Sequence, residues 1–352
     1  MKFAHWAVAA IWLAAAGGAE AECGPPPASD ATLLASPEAV EAIAEAKRSM
    51  PNAEGRLWRV ETDPPSYLVG TFHVAAGGIE EPGPELAALV AGASGLYLEL
   101  EGESVEGEVA RWGADPKNLF RTDGSRFTDG MSEAERAHAA DVLMGYGMPI
   151  AVAEQLRPLM LLSLLSVPPC ALDQFDGPGL DDNLEEIAED AGIEVKALET
   201  VEEQISALDG PPEEMDPILR MTLSQDLDDS ALWYLNLALY RTRHIGAMWA
   251  LGAADMDELV GPEEASKIEA MFWERLVAGR NRVMARRLLP GLREGGKVVA
   301  VGALHLPGED GLVELVRAAG LTVSRVEGDA HRAGEMPAKT GSQLRLMPEP
   351  AQ

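Results

Sequence analysis

The chain has 352 residues, with 28 Lys or Arg against 58 Asp or Glu and a formal net charge of −30 at pH 7. So acidic a surface repels phosphate backbones and anionic headgroups, which excludes nucleic acid and an anionic membrane surface as partners. The length suits one large domain or two small ones, and the cysteines are two, Cys23 and Cys170.

Lys2 precedes an apolar stretch from Ala7 to Ala16, and small residues then lead to Ala19-Glu20-Ala21. This is the pattern of a secretory signal over residues 1–21. Its apolar core is shorter than the ~20 residues a membrane span needs, so no transmembrane segment is expected in the mature chain. The signal carries one Lys and one Glu, so the mature charge stays at −30. The expected location is periplasmic. Lipid attachment at Cys23 is the alternative, ranked second because Glu22 stands where such a signal takes a small residue. In an oxidising compartment two cysteines usually pair, so a Cys23–Cys170 disulfide is expected, with two free thiols as the alternative.

Residues 22–55 form an acidic, Pro-rich arm with one helix over 37–50. Strands are expected over 57–61 and 66–70, joined by the Asp63-Pro64-Pro65 turn. The second belongs to the run Tyr-Leu-Val-Gly-Thr-Phe-His at 67–73. A Gly-rich bend, a helix over 85–91 and a strand over 96–101 follow. The middle is mostly helical: 131–146, opened by the capping pattern Ser132-x-x-Glu135; a buried apolar helix over 156–167; and an amphipathic helix over 180–191. A strand over 194–198 then leads into Glu199. Helices over 213–250, with a break, and 262–289 come next by their apolar spacing. Finally 297–301 is a strand ending in Val-Gly-Ala-Leu-His at 301–305, followed by a helix over 310–319 and a strand over 321–326. Residues 328–352 turn polar and Pro-containing, the composition of a disordered tail.

The two Gly-x-x-His runs share a grammar of strand, motif, helix, strand. They predict an α/β fold: a central sheet, largely parallel or mixed, built from two βαβ-like Gly-x-x-His repeats with a helical insertion between them, in one domain over 56–327. Open α/β sheets build their sites past the carboxyl ends of their strands. His73, Glu99, Glu101, Glu199 and His305 would meet on one such rim. Alternation puts Tyr97, Glu99 and Glu101 on one strand face. A carboxylate inside an apolar strand is costly unless paired or bound to metal, which singles out Glu99. Two imidazoles and a carboxylate suit a divalent transition metal with open positions. Asn281, polar on a packed helical stripe, could orient a ligand, and Arg280 sits beside it. His138 and His331 read as surface residues and His244 as a helix-end histidine.

Taken in order, 67–73, 97–101, Leu156-Arg157-Pro158, Leu172-Asp173, 198–204, Arg280-Asn281 and 299–311 resemble the TraB/PrgY/GumN family, which includes the Tiki metalloproteases, and most closely its exported GumN-like branch. The resemblance implies a fold related to erythromycin-esterase-like and haem-binding ChaN-like proteins. It also implies a metal-dependent peptidase site, with manganese or cobalt, whose roles fall on His73, His305 and Glu99. From the residues themselves zinc is a further candidate metal, Glu199 and Arg280 are expected to serve catalysis with Glu99, and Glu101 and Asn281 to lie behind them. Gly279 stands where the family often has an acidic residue, and Glu101 where it usually has Asp. The expected function is an exported metal-dependent hydrolase acting on a peptide or small molecule. The alternative is a non-catalytic protein that binds haem, with Tyr97 as a candidate ligand, or a peptide.

Overall fold

The computed structural model describes Cys23 and residues 29–175, 177–225 and 230–327. The signal segment and the polar tail lie outside the described residues. Six strands form one sheet: β1 (Leu57–Val60), β2 (Ser66–Thr71), β3 (Gly95–Leu98), β4 (Val195–Ala197), β5 (Lys297–Gly302) and β6 (Val323–Arg325), in the order β4-β3-β5-β2-β1-β6. β4, β3, β5 and β2 run parallel, and β1 is antiparallel to both its neighbours. The mixed α/β sheet expected from the sequence is therefore present.

The repeat units are interleaved instead of lying side by side. β5 of the second unit pairs with both β2 and β3 of the first, with Val299 opposite Leu68 on one side and Tyr97 on the other. The Lys-Val-Val-Ala-Val-Gly sequence of β5 explains its central place, because a strand covered on both faces needs an unbroken apolar run. Val298 and Ala300 pack toward the helices Pro84–Ala91 and Leu180–Asp190. Val299 and Val301 pack toward Gly279–Glu294 and Leu312–Ala318 on the other face. The result is a helix–sheet–helix sandwich with the strand ends open at one rim.

Several expected elements change. β3 stops at Leu98, and the chain leaves through Glu99 to a helix at Gly102–Gly113 that begins from Glu101. The apolar run 156–167 is helical over Pro158–Leu164 alone. Arg157 is extended, as a residue before proline prefers, and Leu156 bridges back to Phe120. The helical stretch after residue 212 divides into Pro212–Thr222, Ser230–Arg241 and Ile245–Val260. Arg243, with φ 68°, makes the turn between the last two. Ser132 and Glu135 form the expected capping box at the start of Glu133–Gly145.

Cys23 and Cys170 are joined, with Cα atoms 4.5 Å apart. The bridge fastens the arm to the Pro169–Phe175 turn, beside a cluster that includes Val74, Ala76 and Ile79 from the loop after His73. No helix among the described residues is long and apolar enough to cross a membrane.

Candidate functional site

The parallel strands deliver His73, Glu99, Glu199 and His305 to one rim, and the helix Gly279–Glu294 lays Arg280 and Asn281 across it. Glu99 is the hub. Its Oε1 accepts the Gly302 amide at 2.6 Å and lies 3.5 Å from His305 Nε2 and 4.0 Å from His73 Nε2. Its Oε2 accepts Arg280 Nη2 at 2.5 Å and Gln204 Nε2 at 3.2 Å.

Arg280 also donates to Glu199 from Nε, at 3.1 and 3.0 Å, and from Nη2 at 2.6 Å. One guanidinium thus bridges two carboxylates that are almost fully buried, and the three groups together carry a charge of −1. Burial opposes the charge of Glu99, but Arg280, both imidazoles and the Gly302 amide outweigh it and hold the carboxyl well below the usual carboxylate range. Burial raises Glu199 above its ordinary value despite Arg280, and the charge on Glu99 adds to the rise. Glu199 is therefore the member of the triad that keeps a proton longer. It faces Arg280, whose guanidinium stands between it and Glu99.

Arg280 follows a local departure from α-helix. Trp273–Ala278 is π-helical, and the Gly279 amide donates back to the Glu274 carbonyl. A Cβ on Gly279 would lie 2.8 Å from that same oxygen. A side chain at this position would crowd the widened turn, which suits glycine. The π turn also leaves the Leu276 carbonyl to accept Arg280 Nη1 at 3.2 Å, which aims the guanidinium. Such turns inside α-helices often mark functional positions.

Asn281 is fully buried, and its role is legible in its amide. Nδ2 donates to the carbonyls of His305 and Asp310, at 3.1 and 2.9 Å, so Oδ1 must face His305 Nδ1, 2.7 Å away. His305 therefore carries its proton on Nδ1 and presents a lone pair from Nε2. Burial, with Arg280 adding to it and Glu99 opposing, lowers the His305 pKa to about 3, so the ring is neutral. Asn281, expected to orient a ligand or carboxylate, contacts an imidazole instead.

His73 has a partner that sequence reading missed. Its Nδ1 donates to Asp181 Oδ2 at 2.5 Å, which leaves Nε2 toward Glu99. The His73 side chain keeps 27% of its surface, against 6% for His305 and 7% for Glu99, so solvent reaches the rim past His73. Gln204 was also missed as a donor to Glu99, although it ends the family-like run 198–204.

The donor chemistry fits a divalent cation. Two Nε2 lone pairs and one carboxylate oxygen converge on each other, an arrangement that repels unless a positive centre lies between them. A Cβ on Gly302 would sit 3.0 Å from His73 Nε2 and 3.1 Å from Glu99 Oε1, so this glycine leaves the cradle open. Ligands of one tetrahedral ion stand roughly 3.4 Å apart, given metal–ligand bonds of about 2.0–2.1 Å. The His305 spacing meets this and the His73 spacing is wider. Among the described residues no group of three His, Cys, Asp or Glu stands at coordination spacing.

Other expectations are corrected. Glu101, half-buried, caps the Gly102–Gly113 helix and does not share a strand face with Glu99, because β3 has already ended. Tyr97 is packed in the core, and a Cβ on Gly291 would lie 2.1 Å from its hydroxyl, so it is no haem ligand on the rim. Two readings hold: His244 caps Ile245–Val260, beside Glu54 at 3.1 Å, as a helix-end histidine, and His138 is exposed. His331 lies outside the described residues.

In comparisons with known proteins, the model of the TraB/PrgY/gumN family matches residues 56–325, most of the chain. No curated protein and no solved structure matches.

Proposed function

The chain belongs to the TraB/PrgY/gumN family, and we propose that it is an exported metal-dependent hydrolase whose centre is held by His73, His305 and Glu99. The observation that carries this reading is the convergence of two imidazole Nε2 lone pairs on Glu99 Oε1, each ring having its Nδ1 proton committed behind it. A divalent ion there supplies Lewis acidity, which polarises a carbonyl and lowers the pKa of water.

The chain's own groups divide the remaining work. Asn281 keeps His305 in the tautomer that binds through Nε2. Arg280 pins Glu99 Oε2, so that Oε1 is the oxygen turned to the imidazoles. Glu199, its pKa raised by burial, shares the guanidinium of Arg280 with Glu99. Hydrogen bonds behind the ligands fix their orientation and basicity. Peptide is the substrate class implied by the resemblance to the Tiki branch. The disulfide supports export, because such bridges persist in oxidising compartments, and with the amino-terminal signal it favours the periplasm.

The test is the metal content of the mature protein beside His73→Ala, Glu99→Ala and His305→Ala, followed by a peptide-cleavage screen with manganese, cobalt and zinc. Near-stoichiometric metal that falls in all three variants, with metal-dependent cleavage, is expected. Unchanged metal in the variants would refute the ligand set. Metal bound without cleavage, and peptide recovered intact, would make the protein a binder.

A further inference from the structure

An imidazole offers a lone pair from one nitrogen only when the proton sits on the other, and in solution the proton moves freely between the two. The buried site must therefore fix the tautomer of each ring. For His305 the amide of Asn281 does so. For His73 the group in that place is the carboxylate of Asp181, buried on all sides.

Asp181 is one of many acids on a surface helix. Glu186, Glu189 and Asp190 of Leu180–Asp190 are exposed, whereas Asp181 and Glu185, one turn apart, are buried. Both are used at the rim, Glu185 accepting the Gly102 amide at 3.0 Å. Asp181 lies in the first turn, where the helix dipole favours negative charge. Its delivery is built into the backbone. A Cβ on Gly179 would come within 3.0 Å of the His73 carbonyl carbon and 3.1 Å of its Cα, so glycine lets the start of the helix rest directly on His73. The same segment holds the following loop at three more points. The Ala75 amide donates to the Gln174 carbonyl at 2.9 Å, Asn183 Nδ2 donates to the Glu80 carbonyl at 2.8 Å, and a Cβ on Gly177 would meet Ala75 Cβ at 2.6 Å.

We infer that Asp181 is the positioning residue of His73: it holds the Nδ1 proton and so fixes Nε2 as the nitrogen presented to Glu99. The two rings are thereby made unequal. An anion stands behind the solvent-facing His73 and a neutral amide behind the buried His305. A carboxylate behind a ligating imidazole raises its basicity, so His73 becomes the stronger donor. The inference rests on the metal-centre reading for its affinity readout alone, since the tautomer is a property of the metal-free protein.

The experiment uses the mature protein, Asp181→Ala and Asp181→Asn, the latter keeping the side-chain volume, with thermal midpoints to confirm folding. Long-range 15N–1H spectra of chelated protein report the His73 tautomer, assigned through loss of its signals in His73→Gln. The wild type should show protonated Nδ1, and Asp181→Ala should move the proton toward Nε2. Zinc titration should then show Asp181→Asn binding about 10- to 100-fold more weakly. An Nδ1-protonated His73 that persists in both variants, with zinc affinity within twofold of wild type, would overturn the inference and leave the metal centre standing. A tautomer change in Asp181→Ala, with a wild type that binds none of zinc, manganese or cobalt, would support the positioning role and sink the metal centre.

Discussion

Replacing Arg280 by Met keeps most of the aliphatic volume and removes the single cation between Glu99 and Glu199. The guanidinium side chain is 13% exposed and the carboxylates 7% and 2%, so water cannot take its place. Leaving buried charge without its partner costs about 3–5 kcal/mol. With a urea m-value of about 3 kcal/mol/M, the midpoint should fall by roughly 1 M or somewhat more at pH 7. The assay is urea unfolding followed by tryptophan fluorescence, with chelator present, between pH 7 and pH 5. Burial already raises Glu199 with the cation in place, and without Arg280 its folded-state pKa lies further above the unfolded one. The penalty on Glu199 is then full above that folded value and shrinks as pH falls through it. The triple variant Glu99→Gln/Glu199→Gln/Arg280→Met carries no charge and should recover most of the loss. A penalty under about 1 kcal/mol, where an unpaired buried charge should cost several, or one that stays constant from pH 7 to pH 5, would refute the reasoning.

Three further outcomes are expected. His305 titrates near 6.5 when unfolded and about 3 when folded. Its contribution is therefore complete above the unfolded value and lost as pH falls toward the folded one, by up to about 1.4 kcal/mol per pH unit. Denaturation of chelated wild type and His305→Gln across that range should diverge, and parallel curves would contradict the buried neutral ring. Gly279→Ala gains about 1 kcal/mol of helix propensity but meets the Glu274 carbonyl, an overpacking cost of about 1–3 kcal/mol. A lower thermal midpoint is expected, whereas a higher one would mean the π turn relaxes freely. The Cys23–Cys170 bridge spans a sequence separation of 147. Cys23→Ser/Cys170→Ser should lose stability, up to about 5 kcal/mol on the chain-entropy scale, and an unchanged midpoint would show the arm to be held by packing alone.

The strand ends were legible because each was an apolar run closed by glycine or a charge. His73, Glu99, Glu199 and His305 could therefore be placed on one rim before the sheet order was known. Arg280 and Asn281 were visible as a pair on a helix, Asn281 as a polar residue on a packed stripe. Asp181 was not legible. Asp181 and Glu185 are both buried acids of Leu180–Asp190, and only the tertiary docking of Gly179 on the His73 backbone shows that Asp181 is the one beside the imidazole. Glu101 was misplaced for a related reason: alternation assumes the strand continues, and β3 ends three residues earlier than its apolar pattern suggests. The π turn before Arg280 left its one trace in Gly279, a glycine whose purpose shows only when the Glu274 carbonyl is in view.

The interleaving of the strands has a consequence for the order of events during synthesis. Until residues 297–305 have been made, β1 with β2 and β3 with β4 are two separate ribbons, and the slot between them is empty. β5 is the keystone that joins the ribbons and brings the second imidazole with it. A chain released early has nothing to hold opposite His73, however well its first half has collapsed. Pairing across so much sequence is slow and comes late in folding. The rim is thus assembled only once β5 is in place, and any truncation that removes the last strands leaves a chain without His305.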